Sequence, residues 1–314
     1  MRLRALLAGC ALLLALFEIG AGWMTSHLRS RRTVRNDVQS AIALGGSGSV
    51  LVVGNSLVQH GVDMPAVQRA LGAGYTPSKL AIVDSGYLDW LYGIASLFDR
   101  GSRPDAVVLG ISPTQLIADH APTGAATRMV WTAANLARYA VESPAGLTAA
   151  SDRFFEHESE FFAIRSRFRQ DVRRVIVPGY ETMAREFFVT RADVPDTLAG
   201  ERVAEARLRD LATECARHGT RFVYLLIPTN TPADAILERA IVAAGQRSGV
   251  PVLIPVSNST LDSSWLLDGY HLNGRGAVAF SARAGEALSA ELEQAKSGGR
   301  FAAPRISTLW RPIR

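Results

Sequence analysis

Val50-Leu51-Val52-Val53-Gly54-Asn55-Ser56-Leu57 opens with four consecutive apolar residues and stops on a glycine followed by two polar ones. A run so short and so apolar, with no polar residue alternating through it, is the pattern of a strand buried on both faces of a sheet. Comparable runs recur at Leu80–Val83, Ala106–Ile111, Arg221–Ile227 and Val250–Ile254. Helical periodicity fills the intervals, over Met64–Leu71, Leu88–Phe98, Glu201–His218 and Ala233–Ser248, and again from about Arg275 to Leu292. Within Glu201–His218, for example, Val203, Ala206, Leu208, Leu211 and Cys215 fall near one face with charges opposite. Strands alternating with helices require parallel pairing through right-handed crossovers. The chain therefore reads as α/β, a three-layer α/β/α domain on a mainly parallel five-stranded sheet.

The rest of the chain divides around that core. Ala5–Met24 is apolar but for Glu18, follows Met1-Arg-Leu-Arg4, and meets the roughly 20 residues a helix needs to cross a bilayer. The favoured reading is an uncleaved transmembrane helix over 5–24 with the domain periplasmic or otherwise extracytoplasmic. A cleaved signal peptide, with Gly20 and Gly22 as its small-residue site, stays open. So does the opposite topology, which Arg29, Arg31, Arg32 and Arg35 favour by the positive-inside rule. Residues 25–48 read as a basic linker ending in Gly45-Gly-Ser-Gly-Ser49, so that 1–48 is anchor and linker, 49–296 the α/β domain and 297–314 a basic tail. Ser112 to Leu198 is too long for an ordinary connection and reads as a helical insertion over about 113–198, with Phe154–Arg174 helical.

Composition narrows the function classes. Apolar content of 48% with 20% charged residues excludes global disorder, and a net charge of +5 without a recognised binding motif gives no support for nucleic acid. Cys10 and Cys215 provide no disulfide framework. His157-Glu-Ser-Glu160 lacks the second histidine of a zinc-protease motif, and Gly72-Ala-Gly74 is no phosphate loop, so neither a metal nor a cofactor is expected. Arg165, Arg167, Arg169, Arg173 and Arg174, interleaved with Phe161, Phe162 and Phe168, read first as a solvated face beside a packed one. A grip on an anionic chain or on headgroups is the alternative. His60, four residues past Ser56, reads as a surface histidine unless it borders the pocket.

Ligands of open α/β sheets bind beyond the carboxyl ends of the strands. Ser56 follows the first predicted strand, Gly86 the second, Gly110 and Ser112 close the third, and Asp268 and His271 come after the fifth. Residues far apart in sequence thus gather at one sheet edge. Ser, His and Asp are the side chains of a charge-supported nucleophile, in which His takes the serine proton and Asp orients the His. The plainer alternatives are a helix cap at Asn55-Ser56 and a capping Asp268 beside a solvent-facing His271. The Gly-x-Ser-x-Gly elbow of the α/β-hydrolases is absent, because Val58 fills its last position.

Gly54-Asn55-Ser56-Leu57 and Asp268-Gly-Tyr-His271-Leu-Asn273 together resemble the first and last blocks of the SGNH, or GDSL-like, hydrolase superfamily, and Gly276 fits the usual continuation. The resemblance implies a flavodoxin-like SGNH fold, with Ser56 as nucleophile, His271 as base and Asp268 as its orienter. Asp84-Ser-Gly86-Tyr is similar to the second block, which makes Gly86 an oxyanion-hole amide beside that of Ser56. Gly110-Ile-Ser112 stands where the family has Gly-x-Asn, so Ser112 takes the place of the third donor, and Asn55 replaces the usual Asp. The resemblance covers about 49–112 and 220–292. It implies a membrane-anchored esterase acting on acetyl-like esters, the partner being an ester-bearing small molecule or an acetylated cell-surface polysaccharide. A polysaccharide O-acetyltransferase using the same triad, and a non-catalytic protein of surface-polysaccharide assembly, are the alternatives it leaves.

Overall fold

The computed structural model describes residues 2–27, 29–143, 146–180, 183 and 196–297. Five strands, β1 (Ser49–Gly54), β2 (Thr76–Ala81), β3 (Ala106–Ile111), β4 (Arg221–Leu226) and β5 (Val252–Leu253), form one sheet in the order β2-β1-β3-β4-β5. Every pairing is parallel, with Gly54 of β1 opposite Ala81 of β2 and Gly110 of β3. Successive strand side chains point to opposite faces, and β1 divides accordingly. Leu51 and Val53 join a core with Trp90, Leu97 and Leu208, while Val50 and Val52 join one with Val67, Phe280 and Leu288. One face is covered by α2 (Arg29–Ala43), α5 (Tyr87–Asp99), α11 (Thr197–Arg217) and α12 (Pro232–Ser248). The other carries α3 (Ser56–Gly61), α4 (Met64–Leu71) and α13 (Gly274–Ser297).

Two sequence readings change. The second strand, expected at Leu80–Val83, starts at Thr76 and ends at Ala81. It is an edge strand, where Pro77 and polar residues are tolerated, so a continuous apolar run was the wrong signal for it. The basic linker is largely helix α2. Val34, Val38, Ala41 and Ile42 recur at helical spacing beneath the arginines and pack into the core. Ser102 Oγ donates to the carbonyl of Ala41 at 2.6 Å and the Arg103 amide to that of Leu44 at 2.8 Å, tying the segment to the start of β3.

The insertion is helical where described, as α6 (Pro113–Ile117), α7 (Gly124–Met129), α8 (Ala133–Glu142), α9 (Gly146–Glu158) and α10 (Glu160–Ile176). The stretch expected as one helical piece over Phe154–Arg174 breaks at Ser159, whose hydroxyl caps α10 by accepting from the Phe162 amide at 3.2 Å. Trp131 docks the insertion on α5. Its ring centroid lies 5.0 Å from that of Tyr92, and its indole N–H donates to the carbonyl of Asp89 at 3.2 Å. Residues 184–195 of the insertion and the basic tail beyond Ser297 lie outside the described residues.

At the N-terminus α1 (Arg2–His27) holds an apolar span of 21 residues, Leu3–Trp23. At about 1.5 Å per residue this span is about 30 Å long, the thickness of a bilayer's hydrocarbon. Its leucines are exposed.

Candidate active site

Ser56 is the first residue of α3, directly beyond the end of β1. Gly54 has no room for a side chain, since a Cβ there would lie 2.2 Å from the carbonyl oxygen of Gly110 and 2.4 Å from Val58 Cγ2. Close approach of β1 to β3, together with the packing of α3, is therefore what this glycine permits. Its φ is not positive, so it does not serve the sharp turn that a glycine after a strand suggests. Asn55 caps α3, its Oδ1 accepting from the Leu57 amide at 3.0 Å, while its Nδ2 donates to the Ser85 carbonyl at 3.1 Å. One buried side chain thereby fixes the serine turn to the loop after β2.

The partner loop is pinned just as locally. The Leu267 amide donates to the His271 carbonyl at 2.8 Å, and Asn273 Nδ2 donates to the Ser264 carbonyl at 2.8 Å. Asn273 Oδ1 accepts from the Gly276 amide at 2.9 Å and so caps α13. Gly269 takes a φ of +84°, which allows Asp268 to fold back over the loop. Asp268 Oδ1 then accepts the amides of Tyr270 at 3.0 Å and His271 at 2.8 Å, while Oδ2 lies 2.8 Å from His271 Nδ1. His271 Nε2 is 2.9 Å from Ser56 Oγ. Partial burial raises the Asp268 pKa, but the bonds from the His271 amide and ring and from the Tyr270 amide outweigh it and hold the carboxyl below its usual range. An ionised carboxylate only accepts, so Nδ1 carries the hydrogen and Nε2 is left to receive the proton of Ser56.

The oxyanion side differs from expectation. The Gly86 amide donates to Asp89 Oδ2 at 2.8 Å inside the protein. Ser112 is fully buried, and its hydroxyl caps α6, within 3.4 Å of the Gln115 amide and 3.1 Å of Thr114 Oγ1. The Ser112 amide is taken by Gln115 Oε1 at 3.0 Å. Neither Gly86 nor Ser112 therefore presents a vacant donor here. Of the three expected donors, only the Ser56 amide meets no acceptor among the described residues.

Other residues enter the site without a sequence signal. Tyr270 is largely buried between the last loop and α6, where its hydroxyl accepts from Gln115 Nε2 at 3.1 Å. Burial and the charge of Asp234 push its phenol up to about 12. Asp234, at the start of α12, accepts from the Thr114 amide at 2.8 Å and from Thr231 Oγ1 at 2.8 Å, joining the loops after β3 and β4. His60 does border the triad, with its ring centroid 5.2 Å from that of His271. Burial and the neighbouring His271 hold its imidazole below the usual histidine range.

The triad lies in a shallow setting, with the side chains of Asp268 and His271 39% and 22% exposed. A cavity of about 290 Å³ sits elsewhere, between α1, α2, α7 and α10, lined by Thr25, Arg35, Gln39, Arg128 and Glu160 among others. No protein-family model and no curated protein matches the chain.

Proposed function

We propose that the chain is a membrane-anchored serine esterase of the SGNH type, cleaving acetyl-like esters borne by a cell-surface polysaccharide. The observation that carries this reading is the continuous hydrogen-bonded relay from Asp268 Oδ2 through the His271 ring to Ser56 Oγ. The strand order 2-1-3-4-5, with Ser56 at the β1/β3 switch point, supports the flavodoxin-like assignment. The shallow position of the relay suits an ester on a large polymer better than a molecule that must be enclosed.

In the proposed reaction Ser56 Oγ attacks the ester carbonyl carbon as its proton passes to His271 Nε2. Asp268 supports the imidazolium that forms. The tetrahedral oxyanion is held by the Ser56 amide at the positive end of α3. Collapse breaks the bond to the sugar oxygen, which takes the proton from His271 and leaves the acyl group on Ser56. Water, deprotonated by His271, then attacks the acyl carbon; acetate departs and Ser56 regains its hydrogen. Full-length protein in detergent should hydrolyse an activated acetate ester and bind a fluorophosphonate at Ser56, and Ser56→Ala should abolish both. Equal hydrolysis by the two proteins, with no labelling of Ser56, sinks the enzyme reading. It would leave the non-catalytic one, which the internal engagement of Gly86 and Ser112 favours.

A further inference from the structure

The one acid of the apolar N-terminal run, Glu18, does not face lipid alone. Its carboxylate accepts from the Ser159 hydroxyl at 2.7 Å, from the Glu160 amide and from the Phe161 amide at 3.3 Å, which are the donors at the start of α10. A carboxylate in that position matches both the unsatisfied N–H groups and the dipole of a long helix. Its consequence is geometric. Glu18 lies five residues before Trp23, where the apolar span ends. At about 1.5 Å per residue this is about 8 Å along α1, within the roughly 5–10 Å to which amphipathic helices sink at a bilayer surface.

Aromatic rings continue outward from the same point. Phe17 lies 5.3 Å from Phe161, Phe161 6.0 Å from Phe162, Phe162 5.2 Å from Phe155 and Phe155 5.8 Å from Phe154, all between centroids. The string begins on the apolar helix and ends on α9 at side chains left about half exposed, as is Phe168 on α10. Arg165 is neutralised inward by Asp152 and Glu156, whereas Arg169 and Arg173 are exposed along the same helix. Half-exposed phenylalanines beside exposed arginines are costly in water and favourable at an anionic lipid surface.

We propose that α9 and α10 lie in the headgroup region of the membrane that α1 enters. Glu18 clamps α10 at that depth, Phe154, Phe155 and Phe168 dip into the acyl boundary, and Arg169 and Arg173 meet anionic headgroups. The insertion is thus a second membrane contact that restrains the α/β domain beside its anchor. Continuity of the aromatic string with α1 is what selects a bilayer over a protein partner as the occupant.

The test uses the full-length chain with Cys10→Ala, in vesicles of phosphatidylcholine and phosphatidylglycerol. An environment-sensitive fluorophore is placed by Phe154→Cys, Phe168→Cys or, as a control on α12, Gln246→Cys. A doxyl group near the lipid headgroup should quench the labels at 154 and 168 at least about twofold more than the control, and more than a doxyl group at mid-chain does. Aqueous iodide should quench them less than the control. Labels quenched by iodide as strongly as the control overturn the proposal. Labels shielded from both quenchers overturn it too, because a protein surface then covers this face. Glu18→Ala should lower headgroup-level quenching at 168 towards the control value, and unchanged quenching overturns the clamp.

Discussion

The two halves of the site are built from the same parts and end in opposite states. On the nucleophile side Asp268 uses one carboxylate oxygen to hold its own loop, which leaves the other for His271, whose second nitrogen is left for Ser56. On the oxyanion side Asp89 and Gln115 act just as locally but capture the amides of Gly86 and Ser112, and those groups have nothing left to offer. Both halves sit beyond the carboxyl ends of strands. Occupancy of the polar groups separates them, and position does not.

Asp268→Asn probes the first half hardest. An amide in place of the carboxylate inverts the tautomer of His271, and kcat of the proposed ester hydrolysis should fall by about 10³–10⁴-fold with little change in KM. A loss of less than about tenfold would mean that the relay is not the catalytic unit. Ser112→Ala probes the other half and should do little to turnover, at most about threefold, because the hydroxyl caps a helix. It should cost stability, about 1 kcal/mol, seen as a lower unfolding midpoint. A loss of about a hundredfold in kcat would return Ser112 to oxyanion binding.

The smallest effect concerns pH, and the two halves contribute with opposite sign. Burial pushes Asp89 up to about 6 and Glu156, behind it in the insertion, to about 7, despite the attraction of Arg153. Their folded forms bind protons more tightly than the unfolded chain, so the stability they contribute is present at low pH and is lost as pH rises through about 6–7. His60, with its pKa lowered, opposes them in part. Asp268, held below its ordinary 3.8, contributes stability above that value and loses it only in stronger acid. The unfolding midpoint should therefore rise as pH falls from about 7.5 to about 5.5. A flat or falling midpoint would show that the bond from Gly86 to Asp89 does not bury a charge.

Much of this is legible in the amino-acid sequence. Strands β3 and β4 and helices α4 and α12 stand within a residue or so of their sequence patterns, since buried parallel strands and amphipathic helices write their burial directly into apolar spacing. Strand β2 and helix α2 were not legible, one because an edge strand tolerates polar residues, the other because its arginines masked a thin apolar stripe. Ser56, Asp268 and His271 could be singled out by residue type and by following strand ends. Tyr270 and Asp234 could not, since their partners lie on separate elements and no local spacing encodes such a bond. Asp89 stands three residues after Gly86, the spacing of a capping box, and was open to a sequence reading.

The α/β alternation, the apolar N-terminal run and the residues that meet at one sheet edge belong to the sequence by itself, because each depends on periodicity, length or chain order. Whether Ser56 and His271 meet at that edge, and what the acid inside the apolar helix binds, were decided only by tertiary structure. A hydrogen-bonding group has few bonds to make, and the partner that takes them is set by whichever element packs nearest in space. Asp234 takes the Thr114 amide, and Glu18 finds the start of α10, across separations that no sequence window spans.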